Sequence, residues 1–139
     1  MPVAFRYISQ RQLILFTYSG KVSLQETLDA VAASAAHPEH RSGLRHFCDV
    51  SQVTSVERDF PKLLKMHAKM AESLLPAEDD LVVLFYAPTQ EGQKMARQAQ
   101  KSWQGVSTVI VLICEHEAEA LALLGLKEQS LAALLETAG

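Results

Sequence analysis

The chain has little of what disulfide-rich, membrane-spanning or secreted proteins are built from. It contains two cysteines in 139 residues, Cys48 and Cys114, and a domain of this length needs no disulfide staple. No apolar run approaches the ~20 residues that a membrane-spanning helix requires. The first dozen residues also lack the apolar stretch of a signal peptide. We therefore expect a cytoplasmic protein with two buried, reduced thiols and no stable membrane insertion.

Charge and short motifs exclude several further classes. The net charge is only -3, and the 13 Lys and Arg residues form no concentrated basic segment, which disfavours nucleic acid as a partner. No P-loop or GxGxxG motif is present. The pairs His37/His40 and Cys114/His116 are loose and far apart, whereas a structural zinc requires four ligands. We therefore expect no nucleic acid, no cofactor and no metal.

What the chain does contain is a regular alternation of strand and helix patterns. The composition, 48% hydrophobic and 21% charged, is ordinary for a globular protein. No repeat or linker divides the chain, so we expect one domain over residues 1–139. The patterns predict strands at 3–9, 12–20, 44–50, 81–87 and 107–114, helices at 24–36, 61–75 and 89–103, and two short helical segments on either side of Gly125.

The order of these elements indicates an α/β fold. Ser23 and Glu26 form a capping-box pattern at the start of the first helix, and Pro38 ends that helix. The run 81–87 is continuously apolar, as expected of an interior strand. The order β-β-α-β-α-β-α-β-α predicts an N-terminal hairpin plus mainly parallel strands, about five in all, flanked by about four helices.

The same pattern resembles a known family over nearly the whole chain. The segments that carry the resemblance are SGKVSLQETLDAV, HPEH, the strand ending in DVSQV, and VIVLICEHEAEALALLGL. Together they resemble the SpoIIAA-like proteins of the STAS/SEC14-type fold. The resemblance implies a sheet of four or five strands flanked by helices. It also implies a bacterial regulatory or ligand-binding module, usually not an enzyme.

The resemblance bears on residues 47–59, FCDVSQVTSVERD. In the related anti-sigma-factor antagonists, an Asp-Ser pair precedes a helix, and phosphorylation of that serine prevents docking to a kinase partner. An ungapped comparison places Glu57 at the acid and Arg58 at the serine. Arginine cannot accept a phosphate, and Thr54 and Ser55 come three or four positions too early. The resemblance therefore implies a module without this switch, although a slip in the loop leaves the switch as an alternative.

Polar residues at the ends of the apolar strands are the candidate ligand- or partner-binding groups. Ligands of open α/β sheets bind at the carboxyl ends of parallel strands, which here carry Asp49 and Ser51, then Tyr86, then Cys114 and His116. Cys114, His116 and Asp49 could also form a nucleophile with its base and orienting acid. Because strand ends are commonly polar and both thiols follow apolar residues, we favour a structural role over catalysis, and the groups stay candidates for binding a ligand or partner.

The helix predicted at 61–75 has an apolar surface broader than one sheet face requires. The residues that form this surface are Leu63, Leu64, Met66, Met70, Leu74 and Leu75. The excess predicts a pocket or a dimer interface, and His67 on the same stripe is interpreted as a packed core histidine. Our leading hypothesis is a non-enzymatic STAS-like module that acts in regulation or protein interaction. One form of this interaction is a homodimer. The alternative is a binding protein for a small apolar or lipid-like ligand, held in a pocket lined by Met66, Met70 or Leu74.

Overall fold

The fold is known from a computed structural model that describes residues 2–41, 43–74 and 80–137, and the side chains of 72–74 are not described. Five strands and five α-helices alternate along the chain. The strands are β1 (Val3–Ile8), β2 (Leu13–Val22), β3 (Arg45–Val56), β4 (Leu81–Tyr86) and β5 (Val109–Cys114). The helices are α1 (Leu24–Ala35), α2 (Phe60–Leu74), α3 (Gln90–Trp103), α4 (Glu117–Leu123) and α5 (Leu131–Thr137). Within the described ranges, no helix is long and apolar enough to cross a membrane.

The five strands form one mixed sheet in chain order, β1-β2-β3-β4-β5. Strand β1 is antiparallel to β2, and every later pair is parallel. A 3₁₀ turn at Ser9–Arg11 joins the two strands of this hairpin. Gln12 ends the turn in a left-handed backbone conformation, with φ 54°. The α/β architecture with an N-terminal hairpin is therefore confirmed. The described residues form five α-helices rather than about four, because the segments around Gly125 form two separate helices.

Helices cover the sheet on both faces and create two cores. The larger core lies between the sheet and α1, α2 and α3, and it includes Val83 and Phe85 of β4. The smaller core lies under α4 and α5, and it includes the fully buried Leu84. Because successive residues of β4 point into different cores, the whole strand must be apolar. This double coverage explains the uninterrupted apolar run at 81–87.

Side-chain hydrogen bonds cap the starts of α1, α3 and α2, and also that of α5, where the Oγ of Ser130 accepts from the amide of Ala133 at 3.1 Å. The Oγ of Ser23 accepts a hydrogen bond from the amide of Glu26 at 3.1 Å and donates to its Oε1 at 2.8 Å, which confirms the capping box. The Oγ1 of Thr89 accepts from the amide of Gly92 at 3.1 Å, as expected for the start of α3. Asp59 accepts from the amide of Lys62 at 3.1 Å at the start of α2.

The third strand is longer than the sequence pattern predicts. It continues beyond 44–50 to Val56, so that Ser51, Thr54 and Ser55 lie in a strand and not in a polar loop. The reason is that β2 also continues, and its residues 19–22 pair with residues 52–56 of β3. Two register shifts interrupt this pairing, and Gly20 adopts a left-handed φ of 66° beside the second shift.

An arginine connects the C-terminal helices to the start of the sheet. The guanidinium of Arg45 donates to the carbonyl of Leu124 and, at 2.8 Å, to the carbonyl of Arg11. Arg11 in turn forms an ion pair with Glu128 at 2.7 Å. These contacts hold the segment between α4 and α5 against the amino-terminal ends of β2 and β3.

Candidate functional site

The structure brings three of the predicted site residues together at the carboxyl ends of the strands. Asp49 is in register with Tyr86, Tyr86 is in register with Cys114, and Thr17 lies opposite Asp49 on the other side. We call Thr17, Asp49, Tyr86 and Cys114 the carboxyl-edge row. Tyr86 and Cys114 belong to the core under α4 and α5, so the row faces that layer. The predicted convergence on one edge is therefore a feature of the fold, while ligand binding there remains a prediction.

The carboxyl-edge row is held mainly by contacts within the chain. The Oδ1 of Asp49 accepts from the amide of Ser51 at 3.0 Å, so one carboxylate oxygen fixes the local strand geometry. Burial raises the pKa of Tyr86, and the nearby carboxylates of Glu117 and Asp49 raise it further. Ser51 is half-buried in β3.

The thiols do not have the properties of a nucleophile. Burial raises the pKa of Cys114, and Glu119 adds to the effect. Burial also raises the pKa of Cys48 to about 12, although a hydrogen bond with Tyr18 opposes the shift. A catalytic thiolate requires a lowered pKa and access from solvent, and both cysteines are buried. His116 precedes α4 as an exposed residue and makes no side-chain cap bond.

The short loop after β3 ties two helices together. The Oε1 of Glu57 accepts from the amide of Leu24 at 3.0 Å, and its Oε2 accepts from the ammonium of Lys62 at 2.8 Å. The bond from Lys62 and then the bond from Leu24 lower the pKa of Glu57. The side chain of Arg58 is 63% exposed and lies 3.9 Å from the carboxylate of Glu91. Arg58 is thus a solvent-facing cation beside the start of α2, available to a partner acid.

A surface groove runs between α1 and α2. Its volume is about 230 Å³. Its apolar part comes from Leu24, Leu28 and Met66, and its polar part comes from Gln25 together with three lysines. These lysines, Lys62, Lys65 and Lys69, are all exposed and recur at helical spacing along α2. We call this surface the lysine groove.

A cavity lined mainly by buried side chains and partly open to solvent lies in the larger core, between the sheet and α1, α2 and α3, and we call it the buried cavity. Its volume is about 70 Å³. Because protein interiors are close-packed and contain few voids larger than a water molecule, a space of this size is a distinct feature. The predicted residues Met66 and Met70 line it, whereas the predicted Leu74 is among the residues whose side chains are not described. The volume is well below the roughly 300–1,000 Å³ of sites for drug-sized ligands.

Polar side chains on the wall of the cavity distinguish it from a simple packing defect. His46 and Cys48 reach it from β3, Tyr18 reaches it from β2, and His67 reaches it from α2. Burial lowers the pKa of His46 to about 4, with a smaller contribution from His40. Burial also lowers the pKa of His67 to about 4. Both imidazoles are therefore neutral at pH 7.

The packing of His67 confirms its interpretation as a core histidine and also adds a polar contact. Its ring stacks on Trp103 with centroids 4.4 Å apart, and its Nδ1 lies 2.5 Å from the Oγ of Ser102. Sequence reasoning missed His46, Tyr18 and Trp103 as cavity residues. For His46 the signal was present, because it alternates with Cys48 along an apolar strand and must therefore face the same core.

The function of the chain has to be inferred from the geometry described above. No protein-family model matches the chain, and no curated protein matches it. In the part of the chain that the structure describes, no three His, Cys, Asp or Glu side chains lie close enough to hold a metal ion.

Proposed function

We propose that the chain is a non-enzymatic, STAS-like interaction module that docks an acidic segment of a partner protein in the lysine groove. The observation that carries this proposal is the lysine groove itself, an apolar channel bordered by exposed cations on one helix. No acidic residue lines the groove within the described residues. Its chemistry therefore complements an amphipathic segment that combines apolar and acidic side chains.

The cations of the lysine groove differ in how much they are neutralised. Lys62 forms a 2.8 Å ion pair with Glu57, whereas Lys65 and Lys69 form no ion pair with any described residue. A partner carboxylate would therefore gain most from Lys65 and Lys69. Arg58 before α2 is a further exposed cation, and it lies 3.9 Å from the carboxylate of Glu91 on α3.

Other features support a module that works by contact. The raised pKa values of Cys48 and Cys114 are the opposite of what nucleophilic catalysis requires. The five-stranded sheet with its antiparallel first hairpin supports the resemblance to SpoIIAA-like proteins. Arg58, in the position compared with the phosphorylated serine, supports docking that is not controlled by that switch. Regulation in bacteria and a cytoplasmic location remain parts of the proposal.

The test compares charge reversals on and off the lysine groove. Protein carrying Lys65→Glu and Lys69→Glu, wild-type protein, and a control carrying Arg6→Glu and Lys127→Glu would each be immobilised and exposed to extract of the source cells. All four positions are exposed, and the two double variants have the same net charge because each reverses two positive charges. We expect at least one acidic protein to be retained by wild type and the control and lost from the groove variant. Equal retention by all three baits would contradict docking in the groove.

Self-association requires a separate measurement, because two copies of the same cationic groove repel each other. Native mass spectrometry of gently purified, untagged protein, beside a denatured sample, measures both the oligomeric state and any bound mass. A dimer would confirm the expected homodimer and direct attention to surfaces other than the lysine groove. A strict monomer would leave docking of a different protein as the form of the proposed interaction.

A further inference from the structure

The geometry points to a second site: we propose that the buried cavity binds a small, uncharged, largely apolar molecule that carries one hydroxyl group. This site lies in the larger core and is separate from the surface of the lysine groove, although Leu24 and Met66 contribute to both walls. Binding in the cavity depends on the residues that line it and does not require a protein partner. Its chemistry follows from three features of that lining.

The first feature is the absence of charge. Phe16, Phe85 and Trp103 provide aromatic surface, and aliphatic side chains provide most of the remainder. Among the described residues, no Asp, Glu, Lys or Arg lines the cavity. A charged ligand would therefore lose its hydration without gaining a counter-charge, which is strongly unfavourable in a buried site. This feature selects an uncharged molecule.

The second feature is unused hydrogen-bonding capacity. His46 makes no hydrogen bond to a described residue, and His67 uses only Nδ1, with Ser102. No nitrogen of His46 or His67 is among the fully buried, unpartnered side-chain atoms of the described residues, so these nitrogens border open space, where a molecule that supplies a partner gains a hydrogen bond. A neutral imidazole has one donor and one acceptor nitrogen. A hydroxyl group, which both donates and accepts, can satisfy either.

The third feature is adaptability. In the structure the cavity of about 70 Å³ has room for roughly two water molecules, at about 30 Å³ each. Met66, Met70 and Met95 line it from two helices, and each has an unbranched side chain that rotates readily. Methionine rearrangement can enlarge the space to accept a single aromatic ring. The site therefore suits ligands up to about the size of phenol and excludes long lipid chains.

Phenol and toluene form a matched pair of probes, because they have the same shape and differ in the hydroxyl group. Each would be titrated into wild-type protein at pH 7, with NMR detection of the methionine methyl groups and of the histidine ring nitrogens. We expect phenol to shift the methyl signals of Met66, Met70 and Met95 and a ring nitrogen of His67 or His46. Phenol should bind about three- to tenfold more tightly than toluene, the effect of one buried hydrogen bond.

Variants test the role of the imidazoles. His67→Phe and, separately, His46→Phe keep an aromatic ring and remove the nitrogens, so at least one should bring the phenol-to-toluene affinity ratio close to one. His116→Phe is the matched control at an exposed position and should keep the wild-type ratio. If a variant fails to fold, the titrations of wild-type protein with phenol and toluene still decide whether the cavity binds and whether it prefers the hydroxyl group. Equal binding of the two probes would overturn the hydroxyl requirement, and absence of methionine shifts with both probes would overturn the site.

Discussion

Acidification to pH 5 should destabilise the protein markedly, because two histidines are buried without charge. The pKa of His46 and the pKa of His67 are each lowered from 6.5 to about 4. In the unfolded chain both rings bind protons near pH 6.5, while in the folded chain they stay neutral until about pH 4. Between these values the unfolded state binds more protons, so the free energy of unfolding must decrease as the pH falls.

The size of the effect follows from the two pKa values. For one histidine with a pKa of 6.5 unfolded and about 4 folded, the stability lost between pH 7 and pH 5 is about 2 kcal/mol. Two independent histidines give up to about 4 kcal/mol, which is a large part of the 5–15 kcal/mol stability of a typical domain. The pKa values of Glu57 and Glu128 are both lowered below 4.5. These carboxylates therefore change the free energy of unfolding mainly below pH 5, outside the range from pH 7 to pH 5.

Urea unfolding at pH 7, 6 and 5 measures this loss directly. Trp103 is the sole tryptophan, is 6% exposed and stacks on His67, so its fluorescence reports the unfolding of the larger core. His67→Phe should reduce the loss between pH 7 and pH 5 by about half. The exposed replacement His116→Phe should leave it unchanged. A wild-type unfolding free energy that differs by less than about 0.5 kcal/mol between pH 7 and pH 5 would refute the reasoning.

Two other predictions concern packing and reactivity. A Cβ atom at Gly92 would lie 3.0 Å from both Cγ2 and the carbonyl oxygen of Val50, so Gly92→Ala should lower the unfolding free energy by about 1–3 kcal/mol. Gly105→Ala is the matched control, since its added Cβ meets no atom within 4 Å, and comparable losses in urea unfolding would disprove the steric explanation. Because Cys48 and Cys114 are buried with raised pKa values, iodoacetamide at pH 8 should modify neither in folded protein and both in urea. Rapid alkylation of the folded protein, detected by intact mass, would reopen the catalytic alternative.

The elements of the fold were predictable where local signals agree with the tertiary environment. The capping box at Ser23 and the end of the first helix before Pro38 are determined within a few residues, and both are present as expected. The continuation of β3 to Val56 was not predictable in this way. Its polar residues resemble a loop, and they form a strand because a distant segment of β2 pairs with them.

The candidate site was predictable only in part, for a related reason. The sequence places Asp49, Tyr86 and Cys114 at strand ends, and parallel pairing then brings them into register. The cavity depends instead on how α2 and α3 pack over the sheet, as the stacking of His67 on Trp103 illustrates. No local pattern specifies a void, because its volume is the small difference between the space available and the side chains that fill it.

The strand order has a consequence for how the protein forms during synthesis. Because spatial order follows chain order, each parallel strand can add to the edge of the sheet as it leaves the ribosome, without insertion between strands already paired. The helical layer of the larger core is added along with the strands. The other face, with Leu13, Phe47 and Leu84 at 0% exposure in the finished fold, stays uncovered until α4 and α5 are made. Nascent chains paused before α4 should therefore be the species that chaperones bind most strongly.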